Sequence, residues 1–129
     1  MRYDETGLLL IGCGNMGSAL ANGWRVSLLS PTQLTLIDPN DTARKKLASQ
    51  LNVANYDSVV SLPDECHISS VCLATKPDHL SDALANIKTR FSDSKPLIIS
   101  IAAGKPLSFY ESRLWENAAV IRIMPNTPS

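Results

Sequence analysis

Gly7-Leu-Leu-Leu-Ile-Gly-Cys-Gly-Asn-Met-Gly17 opens as an apolar run of strand length and passes directly into a G-x-G-x-x-G turn. From Asn15 the apolar spacing becomes helical, with Met16, Ala19, Leu20, Gly23 and either Trp24 or Ser27 on the expected inner face. A strand, a glycine turn and a helix in that order form the context in which this hexapeptide acquires a meaning. Gly12 permits the tight turn, Gly14 lets a pyrophosphate approach the backbone, and Gly17 allows the helix to pack closely on the strand. The free N–H groups of Asn15, Met16 and Gly17 would then face the phosphates, aided by the helix dipole. Cys13, inside the loop, reads as a small filler.

The same alternation continues along the chain. Leu34–Ile37 is the second expected strand, and Asn40 or Asp41 can cap a helix whose inner stripe is Ala43, Leu47, Ala48 and Leu51, with Arg44, Lys45 and Lys46 on a solvated face. A short third strand falls near Val53-Ala54, followed by a helix capped by Asp57 and limited by Pro63. Ile68–Ala74 is a fourth strand. The helix after Pro77-Asp78 carries Leu80, Ala83, Leu84, Ile87 and Phe91 at helical spacing. Leu97–Ile101 is the fifth strand, Ser108-Phe-Tyr-Glu111 fits a capping box opening a helix with Tyr110 and Leu114 inward, and Ala119–Met124 is the sixth. Apolar strands joined by helices give an α/β fold, a doubly wound, Rossmann-type, mostly parallel six-stranded sheet with expected order 3-2-1-4-5-6.

Composition narrows the function classes. The 129 residues hold 12 Lys+Arg against 12 Asp+Glu, so the broad electrostatic attraction behind non-specific nucleic-acid or anionic-membrane binding is missing. Leu8–Ile11 falls far short of the roughly 18 to 20 apolar residues that span a bilayer, and the acidic start lacks a basic n-region, so a cytoplasmic location is expected. Cys13, Cys66 and Cys72 include no Cys-x-x-Cys pair, and neither a disulfide nor a metal site is expected. No Ser-His-Asp set is visible, no proton donor can be named, and the catalytic residues stay unassigned.

Asp38 ends the second strand, 21 residues past Gly17. An acidic side chain there can accept hydrogen bonds from the adenosine ribose 2′- and 3′-hydroxyls and repels a 2′-phosphate. The expected cofactor is NAD(H) or NADP(H), with NAD(H) favoured by Asp38. Asp-Pro-Asn-Asp is also good turn chemistry, and Arg44, Lys45 or Lys46 could reach a 2′-phosphate, so the choice between the cofactors stays open.

Three further segments fall at the ends of strands four to six. Lys76-Pro77, Ser100-Ile-Ala-Ala-Gly104 and Met124-Pro-Asn-Thr-Pro128 follow Gly12-Cys-Gly-Asn-Met-Gly17 in an order that resembles the N-terminal cofactor domain of pyrroline-5-carboxylate reductases. The resemblance covers nearly the whole chain and makes residues 1–129 an NAD(P)-binding domain. It implies an NAD(P)H-dependent imine reduction that gives proline, with Thr75 and Lys76 contacting the cofactor's ribose and phosphates, Ala102 lining the nicotinamide site, and Pro125 and Asn126 bordering the substrate. The implied partner is that small-molecule substrate, with no nucleic acid and no membrane. The family is homo-oligomeric through a C-terminal helical domain that dimerises and completes the substrate pocket. Nothing in this chain corresponds to that domain, so the chain is expected to be monomeric and nearly inactive alone. Asp38 departs from the polar or phosphate-tolerant residue usual in the family. Two alternatives stay open: a stand-alone, non-catalytic dinucleotide-binding module, and a related reductase of another imine or a hydroxy acid.

Overall fold

The computed structural model describes residues 7–102 and 104–123. Strands β1 (Leu8–Ile11), β2 (Leu34–Ile37), β3 (Ala54–Tyr56), β4 (Ser70–Leu73), β5 (Leu97–Ser100) and β6 (Val120–Arg122) form one sheet. Its order is β3-β2-β1-β4-β5-β6, and every pairing is parallel. Helices α1 (Asn15–Ser27), α2 (Asp41–Leu51), α3 (Leu80–Phe91) and α4 (Leu107–Glu111) make four of the five crossovers, the β3-to-β4 connection holding only a 3-10 turn, and the expected topology is the observed one.

Register explains why the strands read as unbroken apolar runs. Leu10 pairs with Leu36 on one side and Cys72 on the other. These three point to the face covered by α1 and α2, where they pack with Ala21, Leu47, Ala48 and Leu51. Their neighbours Leu9, Ile11, Val71, Leu73 and Ile98 point to the opposite face, against Leu80, Leu84, Ile87 and Phe91 of α3 and Tyr110 of α4. Each fully buried Leu or Ile contributes roughly 1.5–3 kcal/mol, and a sheet buried on both faces needs such residues at successive positions.

Four expectations change. The inner stripe of α1 is Gly17, Leu20, Ala21 and Trp24, whereas Ala19, Gly23 and Ser27 are exposed. Close packing of Gly17 on the glycine loop sets the rotation of the helix, and that contact has no weight in an apolar pattern. Arg44 belongs to the buried side of α2 and not to the solvated face with Lys45 and Lys46. The segment after Asp57 forms only a single 3-10 turn, Val59–Ser61, because Pro63 lies too near for an α-helix to propagate. Ser108 does not cap α4: Pro106 holds the extended conformation at the N-cap, Leu107 is already helical, and no side chain caps this end. A capping box is present instead at Ser30 and Gln33, opening the 3-10 turn Pro31–Gln33 before β2.

Candidate functional site

The glycine loop is tied to strands on both sides. Gly12 N–H donates to the Ile37 carbonyl at 2.8 Å, and Ala74 N–H donates to the Ile11 carbonyl at 2.8 Å. Gly12 has φ +108°, and a Cβ there would lie 2.7 Å from the Ala74 carbonyl carbon and oxygen. Both its conformation and the approach of β4 therefore require glycine. A Cβ on Gly17 would run into the Gly12 carbonyl, so this glycine brings α1 down onto the loop.

Gly14 differs from both. Its φ of −75° is ordinary, and a Cβ there would meet nothing within 4 Å. It is the N-cap of α1, yet no side chain caps the helix and the first turn holds no acid. The helix therefore starts beside open space at Gly14 with no side-chain cap on its first N–H groups, an arrangement that suits an anion.

Asp38 leaves β2 beside this loop, half-buried. One carboxylate oxygen accepts the Cys13 N–H at 2.7 Å and the other accepts the Asn40 N–H at 2.8 Å. It thus fastens the glycine loop to the β2–α2 turn. Behind it Arg44, only 5% exposed, donates from Nε to Asn55 Oδ1 at 2.8 Å and from a terminal nitrogen to the Asp38 carbonyl at 2.6 Å. The same nitrogen lies 2.8 Å from Asp41 Oδ1.

A cleft of about 360 Å³ opens at the carboxyl ends of β1, β2 and β4 and brings together Gly12, Gly14, Asp38, Thr75 and Lys76. Asn15, Met16 and Gly17 open α1 directly after Gly14 and are not among the residues that line this cleft. A second cleft of about 330 Å³ shares Ile11, Pro39, Thr75 and His79 with the first and continues between Asp57–Val59 and α3. Thr75 borders both clefts, and its Oγ1 is buried with no hydrogen-bond partner among the described residues. A buried hydroxyl without a partner costs about 1–3 kcal/mol, so this atom suits a ligand that supplies one.

Ala102 stands apart from the walls of both clefts, half-buried after β5. Ile101 N–H donates to the Leu73 carbonyl at 3.0 Å, so this segment runs beside the end of β4. Below it Ser100 Oγ and Tyr110 Oη are 2.7 Å apart and fully buried, and Ser100 Oγ accepts the Ala102 N–H at 3.3 Å. Pro125 and Asn126 lie outside the described residues, as does Ala103.

Sequence reasoning missed Asn55, His79 and the Ser100–Tyr110 pair. Only the last had a signal, since an inward Tyr requires a partner for its hydroxyl. Burial, followed by the Asp38 charge, pushes the Cys13 thiol up to about 12, which makes it a neutral filler. All three cysteines are free. Among the described residues no three His, Cys, Asp or Glu side chains gather as a metal site, and no helix is long and apolar enough to cross a membrane.

Residues 8–104 match the family described as "NADP oxidoreductase coenzyme F420-dependent". The pyrroline-5-carboxylate reductase of Methanosarcina acetivorans is 38% identical over 118 residues, which are 90% of this chain and 42% of that protein. The fold matches a pyrroline-5-carboxylate reductase from Coxiella burnetii with a TM-score of 0.85 at 24% identity, over 95% of this chain and 44% of that one. A Plasmodium falciparum pyrroline carboxylate reductase with NADP bound gives a TM-score of 0.71 at 28% identity, over 95% of this chain and 43% of that one. The chain thus spans less than half the length of each of these relatives.

Proposed function

Because the chain belongs to the NADP oxidoreductase coenzyme F420-dependent family, we propose that its paired clefts bind a nicotinamide dinucleotide and that it is the cofactor domain of a reductase converting pyrroline-5-carboxylate to proline. The observation that carries the reading is the open concavity at Gly14, at an uncapped helix N-terminus, in a chain 38% identical to a reductase of that name. The pyrophosphate would lie over Gly12 and Gly14, against the N–H groups of Asn15, Met16 and Gly17. Thr75 Oγ1 would gain its missing partner from the cofactor, and Lys76 would balance phosphate charge. The second cleft, with Ile37, Val59 and Ala83 in its walls, suits the adenine.

A reduced nicotinamide, when bound, supplies a hydride from C4, and the imine carbon of the substrate accepts it while the ring nitrogen takes up a proton. The chain's own contribution is positional. Small side chains at Ala102 and Gly104 let a flat ring lie near backbone, and the Ser100–Tyr110 pair fixes the strand end beneath them. Pro125 and Asn126 would border the substrate. The relatives extend well beyond the matched span, and the remaining substrate contacts would come from such further length; residues 1–129 by themselves are expected to bind cofactor with little or no turnover. Three free cysteines are consistent with a reducing, cytoplasmic compartment.

Asp38 gives the reading its finer form, a preference for NAD(H). Its carboxylate oxygens each keep a lone pair for a ribose hydroxyl after accepting one backbone N–H. A 2′-phosphate would meet that charge instead, at a cost on the order of 1–3 kcal/mol. Calorimetric titration with NADH and with NADPH tests this: tighter NADH binding is expected, narrowed or reversed in Asp38→Ser. Tighter NADPH binding by the unmodified chain would show that Asp38 does not select the cofactor.

A further inference from the structure

Arg44 is the one cation of α2 on its buried side, and the reading above gives it no role. Its guanidinium joins three elements. Nε reaches Asn55 on β3, while one terminal nitrogen reaches both Asp41 at the start of α2 and the main-chain carbonyl of Asp38 at the end of β2. The peptide that it grips belongs to the residue whose side chain holds Cys13 N–H in the glycine loop. A continuous set of charge-assisted hydrogen bonds therefore runs from β3 through Arg44 and Asp38 to the loop that cradles the phosphates. Such bonds are short and directional, and a planar guanidinium fixes the relative placement of the groups that it bridges.

We infer that Arg44 is a positioning residue for cofactor choice: held inward by Asn55, Asp41 and the Asp38 carbonyl, it sets the place of the Asp38 carboxylate and is itself withheld from a cofactor 2′-phosphate. The inference rests on the dinucleotide reading and adds a direction that the reading does not contain. An arginine near the ribose site that bound the 2′-phosphate would favour NADPH, and its loss would raise the preference for NADH. An arginine that acts through Asp38 has the opposite signature, because its loss lets the carboxylate move away and lowers that preference.

Titrations of the chain, Arg44→Gln, Asp38→Ser and the double variant with NADH and NADPH decide between these, with circular dichroism confirming the fold. The ratio of NADH to NADPH affinity is expected to fall about tenfold in Arg44→Gln, the scale of one lost charge-assisted hydrogen bond. It should change little when the same substitution is made in Asp38→Ser. A rising ratio, an unchanged ratio, or an equal fall with and without Asp38 overturns the inference. Should Arg44→Gln fail to fold, Asn55→Ala carries the test, with a smaller fall in the ratio expected and no change overturning it. Failure of the unmodified chain to bind either cofactor would instead overturn the dinucleotide reading, so the two failures are distinct.

Discussion

At the scale of single residues, the three glycines of one motif do three different jobs, and substitution separates them. Gly17→Ala forces a methyl group into the Gly12 carbonyl, so it should destabilise the fold by about 1–3 kcal/mol, the usual cost of overpacking a tight contact. Gly14→Val places its side chain in open space and should cost no more than about 1 kcal/mol, the scale of a changed N-cap. Denaturant unfolding measures both, and a Gly14 variant less stable than the Gly17 variant would contradict the assignment. Cys13 gives a pH test. The unfolded thiol ionises near 9.0 and the folded one near 12, so above 9 the unfolded chain binds fewer protons and stability falls as pH rises. Cys13→Ala should show a shallower decline between about pH 8 and about pH 10.5 in the same unfolding assay. Gly12 and Gly17 were legible because a positive φ or a close backbone approach admits only glycine there; Gly14, with an ordinary φ and open space around it, was legible only from the spacing of the motif. Arg44 was not, since within Arg44-Lys-Lys46 it looks like another solvated cation, and its partner Asn55 lies on a different strand.

At the scale of elements, the four central strands were legible because apolar runs of four or five residues are bounded by Gly, Pro or polar turns, as a sheet covered on both faces requires; the edge strand β3, Ala-Asn-Tyr, carries no such run and falls two residues beyond Val53-Ala54 at its far end. The rotation of α1 was not legible: Met16, Ala19 and Leu20 fit an inner face as well as Leu20, Ala21 and Trp24 do, and a backbone contact at Gly17 decides between them. The start of α4 was misplaced for a related reason, since Ser108 and Glu111 have the spacing of a capping box but begin after Pro106 has opened the helix. What α4 contributes is Tyr110, whose hydroxyl holds Ser100 at the end of β5. Tyr110→Phe leaves Ser100 Oγ buried without that partner and should destabilise the chain by about 1–3 kcal/mol. Thermal or denaturant unfolding checks this, and a neutral effect would mean that Ser100 finds another partner.

At the scale of the whole molecule, the described residues offer candidate contacts for the cofactor side of the proposed reaction, and none is assigned to the substrate side. Hydride transfer needs the imine carbon held roughly 3–3.5 Å from nicotinamide C4, and such positioning supplies about 7–11 kcal/mol of barrier lowering. A steady-state assay of this chain with pyrroline-5-carboxylate and each reduced cofactor should therefore show negligible turnover, whereas a rate on the order of 1–10³ per second would mean that no further domain is required. Topology and the glycine loop were readable because they depend on local periodicity and glycine spacing; the substrate side rests on resemblance, with Pro125 and Asn126 outside the described residues. The cleft at the ends of β1, β2 and β4 is proposed to hold a dinucleotide over Gly14. Isothermal titration of NADH into the chain and into Gly14→Val tests it most directly. Saturable binding with one site per chain, lost in the folded variant, is the expected result; heats indistinguishable between the two proteins, or no binding to either, would contradict it.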